Sequence, residues 1–226
     1  MTNYFAPLTA VAVLLASACS AAEPPAPKPA AAQKPAPTPT TPPTTAPTGA
    51  PATAPAARPA GAAHYRQAGG ASLAFSFMQA GAENHGSFRQ FTTGLTWDEK
   101  NPAAGSLDVT VQTASLETQD KDRNDTLAGA DLFDVKKFPT AHYTANSFAK
   151  RADGGLEAVG KLTLRGVTKN LRVPLTIRTS GSGLELSGEV TIKRLDFGVG
   201  QGDWNSTEWV GDDVKLAYKV PMTRAD

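Results

Sequence analysis

Three histidines are the side chains of this sequence best suited to acid–base or metal chemistry near neutral pH. His64, His85 and His142 have no spacing that would make any two of them a pair of metal ligands. His64 lies at a change of composition and His142 alternates with Tyr143, so both are expected to be structural or solvated. His85 lies in the segment 83–86 at a predicted strand end, where we expect the rim of a binding site.

No pattern for nucleophilic, phosphate-binding or dinucleotide-binding chemistry appears in the chain. The glycine-rich segment 198–202 follows no strand–helix pattern and is expected to form a wide turn. Five aspartates without evident pairing are expected to be solvated or to cap helices: Asp131, Asp134, Asp196, Asp212 and Asp213. We therefore predict no catalytic residue and no metal. A hydrolase or isomerase of an apolar substrate would need a coupled acid–base pair inside the lumen, and inward-facing charged groups paired around His142 or Asp196 would favour it.

The single cysteine, Cys19, excludes a disulfide within the chain and any zinc site built on cysteine pairs. It follows an apolar run over 5–18 and the small residues Ala16 and Ala18, an arrangement similar to a bacterial lipobox, although Leu is commoner than Ala at position 16. We expect a signal peptide over 1–18 and an acylated Cys19. Ser20 carries no charge, so the expected destination is the periplasm with an outer-membrane anchor. The alternative is plain secretory cleavage with Cys19 incidental.

Composition divides the rest of the chain at about residue 63. Residues 19–63 consist mainly of Pro, Ala and Thr and are expected to be a disordered spacer, whereas residues 64–226 have the mixture of a globular domain. The formal net charge of the chain is +1, and its lysines and arginines are spread rather than clustered. Nucleic-acid binding is therefore not expected.

Eight segments bounded by turn residues are predicted to be strands. They span 71–78, 87–97, 106–115, 141–148, 156–164, 170–179, 184–192 and 214–220. Short turns would join neighbouring strands antiparallel, and eight such strands are enough to close an up-and-down barrel. The long connection over 117–139 is predicted to hold a short helix around 120–135, capped by Asp120 or Asp122 and stopped by Gly129.

Seven motifs occur in the order typical of one known family. They are the segments 72–77, 86–91, 101–106, 114–118, 131–139, 162–169 and 194–200. Taken together they resemble the YceI-like, polyisoprenoid-binding family over residues 65–220. The resemblance implies a lipocalin-like barrel with a helical insertion, an isoprenoid lipid in the lumen and no established catalysis. The segment 203–207 is similar to a branch associated with di-haem b-type cytochromes, and this similarity implies a quinone-like ligand and a membrane cytochrome as a partner. The segment 78–85 is more polar than is usual in the family.

The expected function is non-enzymatic carriage or sequestration of a polyprenyl or quinone-like lipid, with no other cofactor. We expect the lumen to be lined by Phe75, Phe77, Phe91, Trp97, Val109, Val111, Tyr143, Leu162, Leu164, Val173 and Phe197. The lipid head group is expected near His85, Arg89 and Arg194. The alternative to a lipid carrier is a structural or stress-response envelope protein, in which side chains fill the barrel and the surface binds a partner.

Overall fold

The computed structural model describes residues 62–225. The predicted signal peptide, Cys19 and the spacer up to residue 61 lie outside the described residues. Within them, no helix is both long and apolar enough to cross a membrane. The strands are β1 (Ala63–Gln67), β2 (Ser72–Gln79), β3 (Ala82–Phe88), β4 (Phe91–Trp97), β5 (Ser106–Gln112), β6 (Leu116–Glu117), β7 (Thr140–Lys150), β8 (Leu156–Leu164), β9 (Val167–Ser180), β10 (Gly183–Lys193) and β11 (Val210–Arg224), and the helix is α1 (Lys121–Ala128).

These strands form one closed antiparallel sheet. Three pairs of short strands follow each other as one long bent strand: β1 with β2, β3 with β4, and β5 with β6. β1 and β2 pair with β4 and β3 respectively, and β4 and β3 pair in turn with β5 and β6. β11 closes the ring: its first part pairs with β2 and its last residues pair with β1. Counted this way, eight strands follow one another around the ring in chain order. The predicted all-β, eight-stranded up-and-down barrel is confirmed.

Tight turns at one end of the barrel use residues with positive φ. The β2–β3 turn has Ala80 at φ 51° and Gly81 at φ 80°, and the β8–β9 turn has Arg165 at φ 49° and Gly166 at φ 76°. Two successive positive φ values are the type I′ geometry, whose twist matches that of the paired strands. These turns therefore fix the register in which inward-facing side chains alternate along each strand.

The predicted helical insertion is present as α1. The Asp120 carboxylate accepts a hydrogen bond from the backbone N–H of Arg123 at 3.0 Å, and Gly129 follows the last helical turn. Asn124 links the helix to the segment before it. The side-chain oxygen of Asn124 accepts a hydrogen bond from the backbone N–H of Thr118 at 2.9 Å and another from the Thr118 hydroxyl at 2.7 Å. No residue of α1 itself is buried. The helix therefore packs as a cover on the barrel rather than as part of its core.

Candidate functional site

The barrel interior is filled at one end and hollow at the other. The filled end, near the turns 98–105, 151–155 and 181–182, holds a continuous cluster of buried side chains. It comprises Leu95, Leu107, Tyr143, Ala145, Phe148, Ala158, Val173, Leu175, Leu184, Leu186, Val220 and Met222. Tyr143 donates its hydroxyl hydrogen to the carbonyl of Ala158 at 2.9 Å, and burial raises the pKa of this phenol. Packing of these side chains on one another makes this end a continuous core.

A cavity of about 410 Å³ occupies the other end, beneath α1. Most of its wall is apolar and comes from β2, β3, β5, β7, β8, β10 and β11: Leu73, Phe75, Phe77, Phe88, Val111, Ala141, Leu162, Leu164, Ile192, Val210, Val214 and Leu216. Leu127, Leu132, Phe133, Val199 and Trp204 cover it from α1 and the loops. A volume of this size lies in the ordinary range for small-molecule sites of about 300–1,000 Å³.

Aromatic rings form one side of this cavity. Phe75 lies 5.2 Å from Phe88, and Phe88 meets Phe133 edge to face at 5.9 Å between ring centroids. The ring of Phe75 covers Gly86 on the neighbouring strand, where an added Cβ would lie 2.3 Å from the ring. Gly86 therefore allows this aromatic wall to lie flat against the sheet.

The polar lining residues are concentrated near α1. Asp120, Asp122, Arg123 and Thr126 come from the helix and its cap, and Gln79 comes from the end of β2. Arg123 is paired only loosely with Asp120, at 3.8 Å. Because β6 ends at Glu117 and pairs with only two residues of β3, the helix occupies the place where the barrel wall is interrupted. We call this polar group the mouth of the cavity.

Two loops that cover the cavity are bound to each other. The carbonyl of Asp131 accepts hydrogen bonds from the backbone N–H of Gly200 at 3.0 Å and of Gln201 at 2.7 Å. Leu132 and Phe197, one from each loop, belong to the same buried cluster. The cover therefore has its own hydrogen bonds and core, in addition to its contacts with the strands.

Arg194 lies in the cavity wall but is fully engaged by the protein. Its guanidinium donates five hydrogen bonds to backbone carbonyls, those of Val199, Trp204, Ser206, Val210 and Gly211, at 2.7–3.0 Å. Burial lowers its pKa, and the Asp212 carboxylate opposes that shift. With no N–H left, Arg194 cannot donate to a head group. Its expected head-group role is corrected to that of a structural residue.

The expected lumen residues divide between the two ends. Phe75, Phe77, Val111, Leu162 and Leu164 line the cavity. The other six lie outside its lining. Tyr143 and Val173 are in the filled cluster, Phe91, Trp97 and Val109 pack against it, and Phe197 is buried in the cluster beneath the cover. Sequence alternation identified inward-facing side chains but did not show which end they fill.

Two other expected head-group residues lie away from the cavity. His85 is exposed and pairs with Ser76 on the outer face, because Phe75 and Phe77 on either side of Ser76 point inward. Arg89 is also exposed and forms an ion pair with Glu117 at 3.0 Å. Neither lines the cavity, so both expectations are corrected. Arg123, which does line it, was missed because its sequence context is only that of an exposed polar helix.

The charged pairs around His142 and Asp196, which would favour an enzyme if they faced inward, are on the outer surface. His142 contacts Asp108 at 2.9 Å, and both side chains are about half exposed. Asp196 pairs with Lys169 at 2.8 Å, also near the surface. None of these four residues lines the cavity. The arrangement that the enzyme hypothesis required therefore does not occur around these residues.

The chain is similar to proteins of known structure and to curated proteins. The crystal structure of Burkholderia cenocepacia BcnA matches with a TM-score of 0.64 and 30% identity, over 67% of this chain and 95% of BcnA. A polyisoprenoid binding domain from Saccharophagus degradans matches with a TM-score of 0.56 over 72% of this chain and 98% of that domain, and at 16% identity it supports the fold alone.

Among curated proteins, Protein YceI of Salmonella newport is 35% identical over 123 residues, which are 51% of this chain and 63% of that protein. The match thus spans less than two thirds of that relative. The family model of the YceI-like domain matches residues 66–222, which covers the barrel from β1 to β11. This chain belongs to the YceI-like family.

Proposed function

We propose that the cavity binds an isoprenoid-type lipid and that the protein is a non-enzymatic carrier or sequestering module of the bacterial cell envelope. The observation that carries the proposal is the cavity of about 410 Å³ with an almost wholly apolar wall. Each methylene moved from water into such a wall gains about 0.8 kcal/mol. An isoprene unit therefore contributes roughly 3–4 kcal/mol before the cost of association.

The position of the polar residues supports one orientation of the ligand. Gln79 and Arg123 at the mouth offer hydrogen-bond donors, whereas the depth of the cavity offers mainly hydrocarbon. We place the isoprenoid chain among Phe75, Phe77 and Leu164 and its polar end at the mouth. More specifically, we propose that this polar end is a quinone-like head group. A ligand of this kind is what association with a membrane cytochrome would require.

The family supports binding rather than catalysis. The Saccharophagus degradans domain that shares this fold is a polyisoprenoid binding domain, and we extend that ligand class to this chain as a proposal. Envelope location is proposed from the sequence around Cys19. Mass spectrometry of the mature protein tests it: an acylated N-terminus at Cys19 supports a lipoprotein, and an unmodified N-terminus elsewhere contradicts it.

The ligand is tested by purifying the full chain from cells without detergent and identifying bound lipid by native mass spectrometry. Ala141 lines the cavity, so the larger side chain of Ala141→Phe should fill part of it. The isoprenoid ligand would then bury fewer methylenes, and bound lipid should fall at least about tenfold. Ala74→Phe is the matched control. It adds the same side chain to an exposed position on the outer face of β2 and should leave lipid content unchanged.

Leu164→Phe is a second cavity-filling variant in case Ala141→Phe does not fold, which circular dichroism would reveal. A purified barrel without lipid in every preparation would favour the structural-protein alternative. Equal lipid content in the wild type and both folded cavity variants would show that the lipid binds elsewhere. The mass of the extracted lipid separates a polyprenol from a quinone.

A further inference from the structure

The large hydrophobic side chains exposed in the described part of the chain all lie at the cavity end of the barrel. Trp209 is 71% exposed, Met78 46% and Val167 36%. Each is next to the cavity wall. Met78 lies between the lining residues Phe77 and Gln79, Trp209 precedes the lining residue Val210, and Val167 pairs with the lining residue Leu164. The distribution is therefore polarised towards the end that holds the cavity.

Trp209 and Met78 are held together by the backbone. The N–H of Ala80 donates to the carbonyl of Trp209 at 2.7 Å, and Gln79 pairs with Val210 across the sheet. A Cβ added at Gly211 would lie 3.4 Å from the Cβ of Met78. The backbone segments that carry the two side chains are thus bonded to each other: Met78 belongs to β2, and Trp209 lies in the turn immediately before β11.

Their area suits a fluid surface better than a protein partner. One buried tryptophan contributes about 150–250 Å², whereas a stable protein interface buries about 800 Å² on each side. Two adjacent anchors and a third on another strand pair fall well short of that area. A bilayer accepts isolated anchors, and tryptophan prefers its interfacial region.

The charges at this end are mixed in sign. Glu208 precedes Trp209, whereas Lys137 and Arg165 lie over the ring of Phe138 near the turn before Val167. Such a surface has no general attraction for anionic lipid. Apolar insertion must therefore dominate any binding to a membrane.

We propose that the cavity end of the barrel docks on the surface of a zwitterionic lipid bilayer, with Trp209 and Met78 as its main anchors and Val167 as a third. This would bring the cavity mouth close to the lipid phase. The docking itself is independent of what the cavity holds, but its purpose, exchange of a lipid with the membrane, rests on the function proposed above.

The test uses the full chain carrying Cys19→Ser and one introduced cysteine labelled with a polarity-sensitive fluorophore. Thr207→Cys places the label two residues from Trp209, and Ser182→Cys places it in the β9–β10 turn at the filled end. Both positions are exposed and both substitutions are small. Phosphatidylcholine vesicles with brominated acyl chains should quench the label at position 207 and leave the label at position 182 unaffected.

Trp209→Ser, added to the chain labelled at position 207, should raise the lipid concentration needed for half-maximal quenching by about tenfold, because a large apolar side chain no longer inserts. Met78→Ser should raise it by a smaller factor. Adding salt should change it little, since the charges are mixed. Because Trp209 lies outside the cavity lining, Trp209→Ser should retain any lipid that the wild type carries.

Three outcomes would overturn the proposal. Quenching of neither label would exclude docking, and equal quenching of both would show attachment through residues outside the barrel. A spectral change at position 207 that grows with protein concentration without vesicles would identify a protein interface instead. Docking and ligand binding are scored separately. Docking without any extracted lipid would refute the proposed function alone, and lipid without docking would refute this inference alone.

Discussion

Arg194 puts a positive charge in the wall of an apolar cavity and uses all its donors to hold the chain around it. The five carbonyls that it binds belong to residues 199–211, which form the loop that contains Trp204 and the start of β11. A side chain that satisfies so many carbonyls holds an irregular segment in one conformation. At the scale of single residues, this arginine determines the shape of one side of the cavity.

Arg194→Lys should therefore destabilise the protein by about 3–5 kcal/mol, because a single ammonium group cannot satisfy five carbonyls in fixed positions. Urea unfolding followed by circular dichroism measures this loss. Lys193→Met is the control. Lys193 is exposed and pairs with Asp212 and Asp213, so its replacement should lower the urea midpoint far less than Arg194→Lys does. A stable Arg194→Lys variant would show that the carbonyl contacts contribute little.

Gly86 should be similarly intolerant, for a steric reason. An added side chain would overlap the ring of Phe75 and push it into the cavity, so Gly86→Val should cost about 1–3 kcal/mol and reduce bound lipid. Gly94→Val makes the same change in β4 at a position with nothing within 4 Å of the added Cβ, and it should be close to neutral. Native mass spectrometry and urea unfolding of both variants check the contrast. Equal effects would contradict it.

At the scale of elements, α1 covers the cavity and is held at its N-terminal side by polar contacts. Glu117 accepts a hydrogen bond from the Asn124 amide at 3.0 Å, and Asn124 in turn binds Thr118. The Asn124 hydrogen bond is the first cause that lowers the pKa of Glu117, and the backbone N–H of Gln119 and the charge of Arg89 act in the same direction. The ionised carboxylate therefore belongs to the native attachment of α1.

Because the pKa of Glu117 is lowered in the folded protein, its carboxylate stabilises the fold fully above the ordinary glutamate pKa of about 4.3. This stabilisation is lost as the pH falls through the lowered pKa of the folded state. At pH 7 the wild type should therefore have a higher Tm than Glu117→Gln. Near pH 3 the difference should become smaller, because the wild-type carboxyl is increasingly neutral. Thermal unfolding of both proteins from about pH 7 to pH 3 tests this. Asp125→Asn, on the exposed face of α1, is the control. A constant difference would contradict the prediction.

The strands could be predicted from the sequence because period-two alternation and turn residues are local signals. All eight predicted segments fall on observed strands, including 156–164 with the same bounds as β8. The breaks at 68–71, 89–90 and 113–115 were not predicted, because they leave the inward alternation almost unchanged and depend on pairing with distant strands. β1 was missed because it lies at the border of the spacer and pairs with strands far along the chain.

At the scale of the whole molecule, the barrel combines a packed core at one end with the cavity at the other. Inward-facing residues could be predicted, but their division between the two ends could not. It depends on the sizes of side chains that meet across the barrel and on how the cover packs on the strands. For the same reason the mouth residues could not be predicted, since α1 reaches the cavity only through its tertiary position.

Because one end of the barrel is packed and the other holds the cavity, the same substitution should lower the free energy of unfolding by different amounts at the two ends. Leu186 is 2% exposed in the filled cluster, so Leu186→Ala should open a new void and cost about 3–5 kcal/mol. Leu164→Ala would only enlarge the existing cavity and should cost about 2 kcal/mol in protein freed of lipid. Urea unfolding of the lipid-free variants measures both. Equal costs would show that the two ends are packed alike.

Both ends of the described chain lie at the filled end of the barrel. Ala63 pairs with Trp97, Tyr65 pairs with Arg224, and the N–H of Ala225 donates to the carbonyl of His64 at 2.8 Å. The cavity mouth lies at the opposite end of the barrel, beside α1. The part of the chain that precedes Ala63 is therefore attached away from the cavity, so covalent attachment and ligand entry use different ends of the fold.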